Sequence, residues 1–156
     1  MNSPKLYVLV GVPASGKSTW ISNQDWIDNC VIVSTDVYVE KFARRLKSTY
    51  SGVFELVMNR AIRLMMRKVN KAKSENKDIV WDQTSTTIAS RKRKFKVLPN
   101  YYPIAVVFKT PDMIELNRRL NSRPGKVIPQ KVMKDMIDNF VMPSLEEGFK
   151  EIWFAE

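Results

Sequence analysis

The feature that most constrains this chain is a segment near its start, where an apolar run meets a loop with two glycines. Residues 6–10 read LYVLV and residues 11–18 read GVPASGKS. A near-continuous apolar run of this kind is typical of a strand buried on both faces of a parallel sheet. The next eight residues fit G-x-x-x-x-G-K-[ST] between that strand and a predicted helix, which is the context of a phosphate-binding loop. The segment therefore predicts an α/β fold with an anion site after its first strand.

Each residue type of this loop has a physical role in holding phosphates. Glycines allow backbone conformations and close approaches that a Cβ atom would block, and N–H groups at the start of the helix face the anion. Lys17 is expected to reach the β- and γ-phosphates, and Ser18 to bind Mg²⁺. The loop therefore predicts ATP and Mg²⁺ as ligands. The expected contacts are Gly11, Ser15, Gly16, Lys17, Ser18 and Thr19.

Strand-like and helix-like segments alternate along the rest of the chain. Further strands are predicted at residues 30–33, 78–82, 103–109 and 151–154, and helices at 17–28, 37–48, 53–74, 90–98, 111–120 and from 129 onward. Thr110 is expected to cap the fifth helix, with Pro111 as its first residue. Strands separated by helices imply a parallel sheet covered on both faces. Because no repeat or linker is visible, we interpret residues 1–156 as one α/β domain.

Composition limits the chemistry that the chain can carry out and the partners that it is expected to bind. The sequence has no histidine and one cysteine, Cys30, which excludes histidine acid–base catalysis and an internal disulfide and argues against structural zinc. The 26 Lys and Arg against 16 Asp and Glu give a net charge of +10. This charge favours a nucleic acid or nucleotide partner, although it also serves solubility alone. The lone cysteine, no visible signal peptide and no apolar run of about 20 residues lead us to expect a cytoplasmic protein, in a host cytoplasm if viral, without membrane contact.

Two aspartates follow predicted strands. Asp36 comes just after the second strand and Asp82 closes the third. Ligands of an open parallel sheet bind outside the carboxyl ends of its strands, so both side chains are expected beside the phosphate loop. Asp36 is the better candidate to orient an acceptor hydroxyl and take its proton, and Asp82 is expected to hold a Mg²⁺-bound water or to position Lys17 and Ser18. The alternatives are local caps, of the next helix for Asp36 and of the turn at 83–87 for Asp82.

A basic turn follows the fifth predicted helix. Arg118 and Arg119 lie at the end of that helix, and Arg123 lies in the turn, followed by Pro124 and Gly125. Guanidinium groups over the γ-phosphoryl oxygens stabilise the charge that develops during transfer. Residues 119–129 are therefore predicted to form a lid, in which Arg119 binds the nucleotide and Arg123 both binds it and assists catalysis. A solvated basic turn is the alternative.

The densest positive run is RKRKFK at residues 91–96. One interpretation is a surface that follows a phosphate backbone. The other is a plain solvated helix face, and both are consistent with the sequence.

Four segments together resemble the kinase domain of bacteriophage-type polynucleotide 5′-hydroxyl kinases. They are GVPASGKSTW at 11–20, TDVY at 35–38, VWDQT at 80–84, and RLNSR at 119–123 running into VIP at 127–129. The resemblance implies a P-loop NTPase kinase fold and transfer of the ATP γ-phosphate to a 5′-hydroxyl of DNA or RNA. It also implies that Asp36 activates the acceptor hydroxyl, that Asp82 supports the site, and that Arg119 and Arg123 grip the donor phosphates.

One position departs from the family pattern. The family has an arginine shortly after its catalytic aspartate, binding the acceptor's phosphate, and the matching residue here is Val39, with Arg44 or Arg45 as a candidate substitute. Two alternatives therefore stay open. One is a kinase of the zeta-toxin type that phosphorylates a nucleoside, a modified DNA base or a small metabolite; the other is a non-catalytic module whose ATP state controls a partner. The phosphatase domain often fused in this family has no counterpart here, so no 3′-end activity is expected.

Overall fold

The apolar run at residues 6–10 forms the central strand of the sheet. In the computed structural model, which describes residues 2–155, the strands are β1 (Lys5–Val10), β2 (Val31–Val33), β3 (Ile79–Trp81), β4 (Tyr102–Val107) and β5 (Glu151–Phe154). All pairings are parallel, in the order β2-β3-β1-β4-β5. In the register, Val8 of β1 lies beside Trp81 of β3 and Ala105 of β4. The carboxyl ends of β1, β2 and β3 therefore meet at one edge.

Helices cover the two faces of this sheet. They are α1 (Lys17–Ser22), α2 (Asp36–Arg45), α3 (Tyr50–Ser74), α4 (Ile88–Val97), α5 (Met113–Asn121) and α6 (Gln130–Asp138). Val8 packs in a core with Met65 of α3, whereas the next residue, Leu9, belongs to a second core with Trp20 of α1. Successive strand residues point to opposite faces, so β1 joins both cores. The predicted parallel α/β sheet with helices on both faces is confirmed.

Helix α1 is shorter than predicted. It ends at Ser22 instead of near residue 28, and a short 3-10 helix follows at Ile27–Asn29. At that end, Gln24 Nε2 donates a hydrogen bond of 3.0 Å to the carbonyl oxygen of Trp20. That carbonyl is one of the groups that a helix end leaves without an intrahelical partner.

The predicted start of α5 is also wrong. Asp112 is the N-cap instead of Thr110, and its Oδ1 accepts a hydrogen bond of 2.9 Å from the N–H of Glu115. The helix therefore begins at Met113, two residues after Pro111. An aspartate accepts this bond at least as well as a threonine does, so the later cap prevails.

Neither interpretation of the basic run at 91–96 holds for two of its members. Arg91 is fully buried, pairs with Glu147 at 2.6 Å and donates from Nη1 to the carbonyl of Ser85 at 2.9 Å. Lys94 is also buried, with its Nζ 5.2 Å from the ring centroid of Trp81. The two lie three positions apart on one face of α4, which is turned inward. The exposed members are Lys92, Arg93 and Lys96.

The longest helix, α3, has 25 residues and carries arginines along much of its surface. Within residues 2–155, no helix combines the length and the apolar character needed to cross a membrane.

Candidate active site

A cavity of about 2020 Å³ opens at the carboxyl edge of the sheet. The sequence-predicted site residues that line it are Ser15, Gly16, Lys17, Ser18, Thr19, Asp36, Asp82, Arg119 and Arg123. Gly11 lies behind the others as a buried residue of the phosphate loop. Residues from four separate segments of the chain therefore meet around one space.

The phosphate loop at 11–18 needs its glycines for two different reasons. A Cβ atom on Gly11 would lie 2.5 Å from Ser15 Oγ and 2.8 Å from Phe108 Cβ, so no larger residue fits without a shift. Gly16 has a φ of 103°, a backbone conformation that side chains strongly disfavour. The N–H of Gly11 donates a 2.9 Å hydrogen bond to the carbonyl of Thr84, which anchors the loop to the segment after β3.

Lys17 is held inside its own loop. Its Nζ donates to the carbonyl oxygens of Gly11 at 3.0 Å and Val12 at 2.9 Å. Burial lowers the pKa of Lys17 to about 8, against the opposing effect of the Asp82 carboxylate. An anion in the loop would favour the charged ammonium and offer it stronger acceptors than carbonyls.

Two buried donors in the site lack a partner within residues 2–155: Ser15 Oγ and Arg123 Nη1. Buried polar groups almost always have a hydrogen-bond partner, so such exceptions point to a missing ligand or water. Nearby, Arg119 Nη1 donates to the carbonyl of Ala14 at 3.0 Å, and its Nε donates to Glu115 Oε1 at 2.7 Å. One lid arginine thus contacts the phosphate loop, while the other presents an unsatisfied donor.

Asp36 is held by two side chains that the sequence analysis did not identify. Tyr50 Oη donates to its Oδ1 at 2.6 Å, and Lys126 Nζ donates to its Oδ2 at 2.9 Å. Lys126 Nζ also lies 4.3 Å from the ring centroid of Tyr50. The alternative role of Asp36 as a helix N-cap is wrong, because Thr35 occupies that position and Asp36 is the first residue of α2.

These partners determine the charge state of Asp36. Partial burial alone would raise its pKa, but the hydrogen bond from Tyr50 and the charge of Lys126 outweigh burial and hold the pKa below its ordinary value. Partial burial raises the pKa of Tyr50, and its hydrogen bond to Asp36 raises that pKa further. The Asp36 side chain is 48% exposed and the Lys126 side chain 12%. The result is an ionised carboxylate that remains open to the cavity.

The lid is fastened to the start of α3. Ser51 Oγ accepts a 2.8 Å hydrogen bond from the N–H of Val127, and the N–H of Ser51 donates to the carbonyl of Gly125 at 3.1 Å. Gly125 has a φ of 71°, and a Cβ on it would lie 3.0 Å from Thr49 Cβ. These contacts bring Lys126, between the two bonded lid residues, to Asp36.

Asp82 and Ser18 are the candidate metal residues. Burial raises the pKa of Asp82, and the charge of Lys17 opposes that rise. No group of three or more His, Cys, Asp or Glu side chains within residues 2–155 is arranged to hold a metal by itself. A donor set of one carboxylate and one hydroxyl fits Mg²⁺, which commonly binds through one or two protein oxygens together with phosphates and waters.

Val39, where the resembling family has an arginine, is completely buried. It packs with Ala43, Val53 and Ala61 between α2 and α3. Arg44, one candidate substitute, is exposed and lines a second cavity of about 600 Å³ that does not include Asp36 among its walls. Val39 therefore supplies no cation to the site, and Arg44 lies in the wall of a cavity that does not contain Asp36.

Comparison with known proteins identifies a sequence family and several structures that resemble this chain. Residues 6–143 match the AAA_33 family, described as an AAA domain. A protein from Chloroflexus aurantiacus, provisionally classed as a kinase, is 16% identical with a TM-score of 0.72 over 99% of this chain and 86% of that chain. A chain from the Pnkp1/Rnl/Hen1 RNA repair complex is 24% identical with a TM-score of 0.66, over 89% of this chain and 44% of that chain. Shikimate kinase from Acinetobacter baumannii is 19% identical with a TM-score of 0.55, over 99% and 85%.

At these identities the three structures establish a common fold, and the present chain spans less than half of the RNA repair chain. The family match runs from β1 to beyond α6 and so includes the phosphate loop, Asp36, Asp82 and the lid. The chain therefore belongs to the AAA_33 family and has the fold of P-loop kinases.

Proposed function

We propose that this chain is an ATP- and Mg²⁺-dependent kinase that transfers the γ-phosphate to a hydroxyl group held at Asp36. The observation that carries the proposal is the pair of buried, unpartnered donors, Ser15 Oγ and Arg123 Nη1, which line the same cavity as the ionised Asp36. An oxygen-rich anion such as a triphosphate supplies the acceptors that these donors lack. A carboxylate beside that anion is what a hydroxyl acceptor needs.

Each residue then has a task in the transfer. Lys17 and Ser15 hold the donor phosphates, and Arg119 and Arg123 bring the lid onto them. Asp36 accepts the hydrogen bond of the acceptor hydroxyl, orients its oxygen and takes its proton as the new O–P bond forms and the bond to the leaving phosphate breaks. Ser18 and Asp82 would hold Mg²⁺, which supplies charge neutralisation on the phosphates when bound.

For the acceptor, we propose the 5′-hydroxyl of a nucleic acid. The net charge of +10 supports a polyanionic partner, and one structural neighbour comes from an RNA repair complex. A nucleoside or small metabolite is the second candidate, and the burial of Val39 favours it, since no cation occupies that position to bind an acceptor phosphate.

The test offers γ-labelled ATP with 5′-hydroxyl DNA, 5′-hydroxyl RNA, nucleosides and a set of small metabolites. We expect label on an oligonucleotide; label only on nucleosides or metabolites would replace the acceptor claim with the second candidate. Asp36→Asn should abolish transfer and leave ATP affinity nearly intact, whereas Asp25→Asn, on an exposed loop, should change neither. ATP hydrolysis without label on any acceptor would contradict the kinase proposal and support a nucleotide-controlled binding module.

A further inference from the structure

We propose that the acceptor presents an uncharged planar ring beside its hydroxyl, and that this ring stacks on an apolar wall of α3. This wall, called here the α3 stripe, consists of Tyr50, Phe54, Met58 and Ile62, all of which line the cavity that contains Asp36. The inference rests on the proposed function, because it names the substrate class of that same site. For a nucleic acid or a nucleoside, the ring is the nucleobase next to the reacting hydroxyl.

The α3 stripe begins next to Asp36, the candidate catalytic base. Its members are spaced four residues apart, which places them on one helix face. Tyr50 Oη lies 2.6 Å from Asp36 Oδ1, and the ring centroids of Tyr50 and Phe54 are 5.6 Å apart. A hydroxyl at Asp36 therefore has an aromatic surface directly beside it.

The outer part of the stripe is not needed for the core. Phe54 is 38% exposed and Ile62 is 41% exposed, although both are large apolar side chains. The core face of α3 is supplied by other residues, including Ala61 and Met65, which are at most 4% exposed. Apolar side chains that remain exposed in a concave site are typical of ligand contacts.

The distribution of charge argues against a phosphate on the outer part of the stripe (Phe54, Met58 and Ile62), since Lys126, the cation in contact with the stripe, lies over the ring of Tyr50 at its inner end. Within the described residues, Glu55 is the one charged α3 side chain in the cavity wall. The arginines of α3 lie outside that wall, and Arg60 instead stacks over the ring of Phe42 at 5.0 Å. The cations of the cavity come from other elements. They are Lys17, Lys109, Arg119, Arg123 and Lys126.

The chemistry of the stripe matches a flat aromatic ring. A phenyl ring offers a stacking surface, and stacking on an aromatic side chain contributes about 1–3 kcal/mol per base in single-stranded nucleic acid complexes. Met58, and Met136 of α6, which also lines the cavity, provide polarisable sulfur that adapts to different rings. The same surface suits the terminal base of a polynucleotide and a free nucleoside, because the recognised chemistry is the same.

The experiment pairs a protein change with an acceptor change. The acceptors are a 5′-hydroxyl oligonucleotide, the same oligonucleotide with an abasic 5′ residue, and a free nucleoside. We expect Phe54→Ala to raise the KM for the intact acceptor about tenfold or more, within the range of one stacked base, and to leave the KM for ATP unchanged. The abasic acceptor should be poor with the wild-type chain and lose little further in Phe54→Ala.

Two further variants separate stacking from other effects. Phe54→Leu keeps apolar bulk without a ring, so it should behave more like Phe54→Ala than like the wild type. Ile114→Ala, at an α5 residue that is 85% exposed and outside the cavity wall, is the matched control and should change neither KM. Equal use of intact and abasic acceptors, or a Phe54→Ala variant with normal acceptor KM, would overturn the proposal while leaving the kinase assignment in place.

A binding measurement keeps the inference distinct from the proposed function. Saturation-transfer NMR of adenosine with the chain, without ATP, should detect binding that Phe54→Ala weakens. If no acceptor is ever labelled but this binding is seen and Phe54→Ala weakens it, the kinase proposal fails and the ring site stands. If Phe54→Ala instead abolishes a concentration-dependent dimer and leaves nucleoside binding intact, the stripe serves a second copy of the chain and the inference is wrong.

Discussion

Lys126 Nζ lies 2.9 Å from Oδ2 of Asp36, and this contact joins the lid to the candidate catalytic base. Tyr50 Oη donates to the other carboxylate oxygen, Oδ1, at 2.6 Å. The carboxylate is therefore oriented by a lid residue and by the first residue of α3. Its pKa lies below the ordinary value because these two donors outweigh the effect of burial. Movement of the lid segment would therefore change both the orientation and the basicity of Asp36.

Replacing the lid lysine should move the pH dependence of the reaction. In Lys126→Met, the pKa of Asp36 rises because a neighbouring positive charge is lost. The proposed role of Asp36 requires its carboxylate form, so activity should disappear as the pH falls through its pKa, and the acid limb of kcat/KM should move to higher pH. The profile is measured with saturating ATP. Lys131→Met, an exposed lysine of α6, should leave the limb unchanged; an unshifted limb in Lys126→Met would show that the ion pair does not act on the base.

Tyr50→Phe removes one hydroxyl and retains the ring. The variant loses the 2.6 Å hydrogen bond to Asp36, and we expect transfer to slow about tenfold, which corresponds to ~1.4 kcal/mol in the barrier. The ¹³C shift of the Asp36 carboxyl should titrate at a higher pH than in the wild type. Tyr38→Phe, a change at a partly buried tyrosine of the neighbouring core, is the control. An unaltered titration of Asp36 in Tyr50→Phe would contradict the assigned contact.

ATP binding should take up a proton at alkaline pH. The pKa of Lys17 is lowered to about 8 by burial, so the free chain loses this charge as the pH rises above that value. Phosphates favour the charged form, so binding raises the pKa again and kcat/KM for ATP should fall on the alkaline side.

Calorimetry tests this uptake directly. At about pH 9, where the free Lys17 is mostly neutral, the apparent binding enthalpy should differ between buffers with different ionisation enthalpies. Identical enthalpies in both buffers would exclude proton uptake. Lys17→Met should abolish the difference together with most of the affinity for ATP.

Breaking the buried ion pair of Arg91 and Glu147 should strongly lower the free energy of unfolding. Arg91 is fully buried, and the Glu147 side chain is 8% exposed. Arg91→Met leaves an uncompensated buried charge, and we expect a loss of about 3–5 kcal/mol in the free energy of unfolding. Denaturant unfolding measures the loss. Arg93→Met, at an exposed residue of the same helix, should stay within about 0.5 kcal/mol of the wild type.

A second substitution tests the reason for that loss. Adding Glu147→Gln to Arg91→Met removes the unpaired charge and should recover part of the stability. If the double variant is as unstable as the single one, the cost comes from lost packing or from the bond to the Ser85 carbonyl instead of from the buried charge.

The donor side of the site could be predicted from sequence because it is contiguous. Strand, loop and helix start occupy residues 5–18, and the strand, the glycine positions and Lys17 occur in the structure at the predicted places. Asp36 and Asp82 could be placed at the same edge because parallel strands align their carboxyl ends. Helix ends were predicted less well, because the cap at Asp112 and the contact of Gln24 with Trp20 depend on local competition between similar side chains.

The acceptor side could not be predicted in the same way. Lys126 and Asp36 are 90 residues apart, and Arg91 and Glu147 are 56 apart, so no local pattern links either pair. Lys126 in a basic turn and Arg91 in a basic run look alike in sequence, although Lys126 contacts Asp36 and Arg91 is buried. By itself, the sequence determined the sheet and the phosphate loop, because periodicity and spacing are local properties. The tertiary structure alone decided what surrounds Asp36, because those side chains come from separate elements that meet only when the chain packs.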